Sequence, residues 1–124
     1  MMQKLGWALS GLFGLFMLGA SVAPKLSGMA VADESLVALG WENAPLLLIG
    51  VLELIATVLY LIPATGVLGA ALMMAILGGA MATNLQGQAP LYSHTLFSVY
   101  LGILMWVGLI LRDPRIRAVF PLVR

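Results

Sequence analysis

Four stretches of this chain, about residues 5–23, 45–62, 67–84 and 95–111, carry a single charged residue among them, Glu53. No other feature constrains the fold as much. Each stretch holds 17 to 19 residues, which as helix rises roughly 26–29 Å, close to the ~30 Å hydrocarbon thickness of a bilayer. The other charges gather between or beyond them. Lys4 stands at the start, Lys25, Asp33, Glu34 and Glu42 lie in one connection, and Arg112, Asp113, Arg115, Arg117 and Arg124 lie at the end. Only 9% of the residues are charged and 62% are apolar, whereas a soluble domain carries about 25% charged residues. That is too few to cover a water-facing surface. A strand edge left open in lipid would strand its backbone polar groups, so these segments read as helices. The expected fold is all-α, a single domain of four transmembrane helices packed as antiparallel neighbours.

Prolines punctuate the pattern. Pro24-Lys25 is expected to end the first span. Pro45 opens the second, a favoured first-turn position, and Pro63 stops it. The turn Pro63-Ala64-Thr65-Gly66 is so short that spans two and three must run antiparallel side by side. Arg112-Asp113-Pro114 closes the fourth. Within the 24–44 connection, Asp33-Glu34-Ser35 suits the start of a short outer-surface helix carrying Leu36, Val37, Leu39 and Trp41; an ordinary loop is the alternative. Ala30-Val31-Ala32 has the small-x-small form of a signal cleavage site. The apolar run before it, ~19 residues, exceeds the 7–15 of a signal core, so residues 1–32 are expected to be retained.

Orientation follows from the basic residues. With four spans, the N-terminus, the 63–66 turn and the C-terminus share one side, which holds Lys4, Arg112, Arg115, Arg117 and Arg124. The other side holds only Lys25. The positive-inside rule then puts both termini in the cytoplasm and the chain in the cytoplasmic membrane. The arginine-rich tail is expected to anchor the fourth span against anionic headgroups. Trp7 and Tyr60 fall near the inner interface, Trp41 and Tyr92 near the outer one. Ala71, Ala75, Gly79 and Thr83 repeat every four residues on one face of the third span. Small residues let helices approach closely in lipid, so that face is expected to pack inside the bundle, with a homodimer face as the alternative. Ser10 and Gly14 form a shorter version on the first span. Met73, Met74, Met81 and Met105 read as adaptable packing.

Glu53 is the most informative residue. A charged carboxylate near mid-membrane costs at least ~2.5–3.5 kcal/mol, so it must face the interior and either find a partner or keep a proton. Thr57 and Tyr60 follow it on the same helix face, one and two turns on. Lys25, Thr83, Asn84 and His94 lie at the outer ends of the other spans, with Ser93 and Thr95 beside His94. Together they define a candidate ligand-binding or proton-handling cavity with Glu53 at its floor. Each also has a plainer role: Lys25 as a snorkelling anchor, Thr95 as a cap, Asn84 as a helix end, His94 as a solvated loop residue. One histidine and one intramembrane glutamate would leave a metal under-coordinated, so no metal is assigned. The absence of cysteine excludes disulfides and clusters held by this chain alone. No basic patch with interleaved aromatics points to nucleic acid. No phosphate loop or nucleophile–base pair marks an autonomous enzyme, and no catalytic residue is assigned.

Several pieces in order resemble the DoxX-like family of small four-helix membrane proteins across nearly the whole chain. They are Lys25, Leu39-Gly40-Trp41, Ile49-Gly50-Val51-Leu52-Glu53-Leu54, Leu61-Ile62-Pro63, Gly66-Val67-Leu68-Gly69-Ala70, Gly78-Gly79-Ala80-Met81-Ala82-Thr83, and His94 through Leu101-Gly102 to Leu111-Arg112-Asp113-Pro114-Arg115. The resemblance implies the four-helix membrane fold. It places the family's intramembrane glutamate on Glu53 and its polar outer positions on Lys25 and His94. Where family members often carry histidine after Ala-Thr, this chain has Asn84, which weakens a two-histidine site. The family's name derives from a subunit associated with thiosulfate:quinone oxidation. The resemblance therefore implies a non-catalytic subunit or ligand-holding component of a redox- or quinone-linked assembly, with a quinone or lipid as ligand and a membrane or peripheral redox protein as partner. The competing expectations are a small proton-coupled transporter using Glu53 and a membrane scaffold or assembly factor.

Overall fold

A computed structural model describes residues 2–28, 34, 36–41 and 45–123, with the side chains of Ser93 and His94 outside that description. The described residues are helical with no strand among them. Helix α1 (Met2–Phe16) passes through a π-helical segment, Met17–Val22, into α2 (Ala23–Leu26), making one continuous rod of 25 residues. Helix α3 spans Leu46–Leu61 and is joined by a 3-10 turn, Pro63–Thr65, to α4, Gly66–Gln86. A π-helical turn, Leu91–Thr95, leads into α5, Phe97–Arg112, and α6 is a single turn, Pro114–Arg117.

The first expectation to be corrected is the end of span one. Pro24 does not stop the helix. Proline lacks an N–H and its ring crowds the carbonyl four residues back. Here the preceding π segment widens the helix, with the Ala23 N–H donating to the carbonyl of Leu18. A π adjustment of this kind re-pairs backbone groups that a proline frees. The rod therefore carries Lys25 on a helix, one turn beyond Ser21, and ends at Leu26, followed by a turn at Gly28, whose φ is +71°.

Span lengths are also less even than expected. Met2–Leu26 and Pro63–Gln86 are long and apolar enough to cross a membrane, whereas Leu46–Leu61 and Phe97–Arg112 are shorter apolar helices of 16 residues each. Pro45 sits just before α3, and its carbonyl accepts from the Ile49 N–H at 3.0 Å. At the far end Ile62 turns extended before Pro63. The Thr65 hydroxyl then donates to the Leu59 carbonyl at 2.7 Å, pairing one of the carbonyls a helix end leaves open. The expected cap Asp33-Glu34-Ser35 falls partly outside the described residues. Leu36 to Ala38 are helical, and the Trp41 N–H closes the turn on the Leu36 carbonyl at 2.9 Å.

Each long helix lies antiparallel against two others: α1 on α5 and α3, and α4 on α3 and α5. Close packing depends on glycines at two crossings. A Cβ on Gly69 would stand 2.6 Å from the Tyr60 Cα, and one on Gly6 would stand 2.6 Å from the Leu111 carbonyl carbon. The core between the helices is Phe13, Met17, Ala56, Tyr60, Ala70, Met73, Leu77, Met105 and Leu109. Phe13 meets Tyr60 edge to face at 5.3 Å. The outer faces are just as apolar, with Leu12, Leu15, Leu47, Ile55, Val58, Val67, Leu68 and Ile103 exposed.

Two packing expectations are overturned. Ala71 and Ala75 of the small-residue face are exposed, and Gly79 and Thr83 at its far end line an open cavity; α4 instead buries Gly66, Gly69, Ala70, Met73 and Leu77. Lipid does not select between these faces by polarity, and the inward one is set by which residues fit against α3. Arg112 was expected among headgroups, yet it is only 5% exposed. Its guanidinium lies over the rings of Trp7 and Tyr60, at 4.3 and 4.5 Å, and donates to the Tyr60 carbonyl.

Candidate functional site

The antiparallel alternation brings the C-terminal ends of the first rod and α4 together with the N-terminal halves of α3 and α5. Between them, under the 36–41 segment, lies a cavity of about 510 Å³. Its walls are mainly apolar, from Phe16, Met17, Leu52, Ile76, Leu77, Phe97 and Leu101. Leu39 and Trp41 line it from the connecting segment. Gly87 makes that lid fit, because a Cβ there would come within 2.8 Å of the Leu39 Cα.

One wall is polar, and it is built around Glu53. The carboxylate is buried, with 5% of its side chain exposed, and Lys25 reaches it from the first rod at 3.0 Å. Ser21 was not singled out from the sequence. Its hydroxyl donates to Glu53 Oε2 at 2.5 Å and accepts from Lys25 Nζ at 2.9 Å. Lys25 also donates to the Ser21 carbonyl at 3.3 Å. The three N–H bonds of the ammonium are thus all directed into a closed Lys25–Ser21–Glu53 triad. The sequence did hold a signal for Ser21: it sits four residues before Lys25, on the same helix face. That signal was hidden by reading Pro24 as a helix end.

Thr83 and Asn84 stand on the opposite wall, as their place at the end of α4 implied. Both turn donors back onto their own helix, Thr83 to the Gly79 carbonyl at 2.9 Å and Asn84 to the Ala80 carbonyl at 2.8 Å. Ser98, also missed in the sequence, lines the cavity from α5. The His94 side chain lies outside the described residues.

Thr57 and Tyr60 are placed elsewhere. Thr57 is buried and bonds the Glu53 main-chain carbonyl at 2.7 Å, so it supports the helix beneath the carboxylate. Tyr60 is fully buried, deeper toward the chain termini. It donates to the Met105 carbonyl at 2.6 Å. Its single proton is then committed, so the Ser10 hydroxyl, 3.0 Å away, donates to it. Neither residue lines the cavity. Among the described residues no group of histidine, cysteine and carboxylate side chains is arranged to hold a metal.

Chemically, the triad presents a carboxylate with lone pairs to spare and no free ammonium proton. Thr83 and Asn84 add hydroxyl and amide oxygens across an apolar space. The arrangement suits an apolar molecule whose polar end donates hydrogen bonds.

Comparison with known proteins agrees with the membrane character of the chain. The family model described as the DoxX-like family matches residues 8–108, which include every residue of the triad and of the opposite wall. No curated protein and no solved structure matches the chain.

Proposed function

The chain belongs to the DoxX-like family, and from that premise we propose that it is a multi-pass membrane protein that holds one lipid-like molecule in the Glu53 cavity. In this reading the four apolar helices form a four-helix transmembrane bundle in the cytoplasmic membrane. The basic residues favour termini in the cytoplasm. The bound molecule is a quinol, a quinone or a lipid with a hydroxylated head, and the protein is a non-catalytic component of a redox- or quinone-linked assembly.

The observation that carries the proposal is the polar wall of an otherwise apolar cavity. A purely structural ion pair gains nothing from facing an open space of about 510 Å³. A few placed polar groups in an apolar cleft are the usual form of a small-molecule site. The triad leaves acceptors on Glu53, so a quinol or glycerol hydroxyl fits without rearrangement. A quinone carbonyl would need Lys25 to release Ser21.

The test is purification in mild detergent followed by mass spectrometry of retained small molecules. Wild type is expected to retain one class of quinone or lipid at near-stoichiometric ratio, and Glu53→Gln to lose it at least tenfold. Equal retention by both proteins refutes the reading. A proton-coupled transporter requires proteoliposome flux that Glu53→Gln abolishes, and a scaffold requires a stable crosslinked partner that survives Glu53→Gln. Each is separated from ligand holding by those measurements.

A further inference from the structure

The first rod and α5 do not stay together along their whole length. Near the chain termini they touch closely: a Cβ on Gly108 of α5 would stand 2.8 Å from the Ser10 hydroxyl oxygen. Further along, the rings of Phe16 and Phe97 meet edge to face at 5.6 Å. Beyond that pair the two elements diverge. Among the described residues, the π segment and α2 lie against α3 rather than α5, and a Cβ on Gly50 would stand 3.0 Å from the Lys25 Cβ. The π turn before α5 lies against α4. A Cβ at Gly19 of the rod would meet nothing within 4 Å.

This divergence opens a seam into the Glu53 cavity. Phe16, Ala20 and Phe97 all line the cavity, and all three are exposed. Their exposure is not merely to the cavity itself. Met17 and Ser98, their chain neighbours in the same wall, are 2% and 8% exposed, whereas Phe16 and Phe97 are 37% and 41% exposed. The two rings therefore face the cavity on one side and the surroundings of the helices on the other. Ala20 stands one turn beyond Phe16 and directly precedes Ser21, which bonds Glu53. At the end of the bundle, by contrast, Leu39 and Trp41 lie over the cavity.

We infer that this seam is a side portal from the bilayer, and that the occupant of the cavity is an amphiphile that enters through it. Its hydroxylated head reaches Glu53, and its hydrocarbon chain stays across Phe16 and Phe97 in the adjoining leaflet. The inference rests on the reading of the cavity as a lipid-like site, and adds the route and the chain. Lipid tails are as apolar as the side chains they touch, so a chain lying between two phenylalanines gives up little on leaving the bilayer. The head alone has to be matched by placed polar groups, and those stand just inside the portal.

The experiment uses the full chain in phosphatidylcholine nanodiscs and a monoacylglycerol carrying a diazirine midway along its chain. Captured positions are mapped by mass spectrometry, and the difference between wild type and Glu53→Gln removes general lipid contact. Glu53-dependent capture is expected on the rod around Phe16 and Ala20 and at Phe97, and to fall at least tenfold in Glu53→Gln. Ala20→Trp fills the portal from an exposed position and is expected to lower capture at least tenfold. Leu12→Trp, exposed on the same rod and away from the cavity, is expected to match wild type. Glu53-dependent capture that maps to α3 and α4 overturns the portal and keeps the cavity reading, and the wild-type map decides this whatever the variants do. Capture that Ala20→Trp leaves unchanged overturns the portal as well. Equal capture by wild type and Glu53→Gln refutes the cavity reading and the portal with it.

Discussion

At the residue scale, the Lys25–Glu53 pair is asymmetric. Lys25 keeps 18% of its side chain exposed and Glu53 only 5%. Removing Lys25 leaves an enclosed carboxylate with Ser21 alone, whereas removing the Glu53 charge leaves an ammonium that can turn toward the polar edge. Lys25→Met should therefore destabilise by about 3 kcal/mol, as broken buried pairs do, and Glu53→Gln by about 1 kcal/mol, as partly exposed pairs do. The double variant should recover part of the larger loss, and a thermal-unfolding double-mutant cycle in detergent measures it. Equal single losses would contradict the asymmetry. Outside the apolar helices, hydrogen bonds from the Arg115 side chain hold the Asp113 carboxyl below its ordinary value, against a smaller opposing effect of burial. The folded value is thus lower than the unfolded one, ~3.9. The contribution to the α5–α6 corner is present above that pH and is lost as pH falls through the folded value. Hydrogen exchange at the Arg115 amide should accelerate below about pH 4 relative to neutral pH, after correction for intrinsic rates. In Asp113→Asn that acid step should be absent.

At the element scale, the fit of α4 against α3 rests on Gly69. An added Cβ would lie 2.6 Å from the Tyr60 Cα and 2.7 Å from the Leu59 carbonyl carbon, so backbone must move. Gly69→Ala is expected to cost about 2–3 kcal/mol, in the range of overpacked cores. On the same helix, a Cβ at Gly78 meets nothing within 4 Å, and Gly78→Ala should gain up to about 1 kcal/mol from helix propensity. Opposite signs in thermal unfolding would confirm that α4 turns its Gly69 face inward. Loss in both would restore the Ala71–Ala75–Gly79 face as the packing one. The π segment of the first rod has a functional consequence of the same kind. By carrying the helix past Pro24 it sets Ser21 and Lys25 one turn apart, facing Glu53.

At the scale of the whole molecule, the Glu53 cavity lies at one end of the helices, beneath the 36–41 segment, opposite the α1 start and α5 end. Topology is directly measurable because the chain has no cysteine. Single cysteines at Gln88 and Val119, both exposed, should respond oppositely to a membrane-impermeant maleimide in intact cells. Gln88→Cys is expected to label and Val119→Cys to label only after permeabilisation. Labelling of both from outside would refute the proposed four-span orientation. Trp106 stacks on Phe120 at 4.3 Å, which folds the tail back along α5 and keeps position 119 at that end.

What the sequence determined alone is the set of elements and their order. Hydrophobic length, prolines and the short 63–66 turn are local, and they made the helices and the antiparallel α3–α4 pair legible. So was the gathering of Lys25, Glu53, Thr83 and Asn84 at one end, which follows from alternation. What only the tertiary structure decided is direction around each helix axis. When the outer faces are as apolar as the core, periodicity of polarity cannot say which side of α4 is inward. Arg112 is the clearest case. By sequence it is one of several terminal cations suited to headgroups, and only the meeting of Trp7, Tyr60 and the α3 end encloses it. The same holds for Tyr60, whose position one face-turn from Thr57 suggested the Glu53 cavity. Its hydroxyl is claimed by Ser10 and Met105, partners 50 and 45 residues away that no local pattern relates.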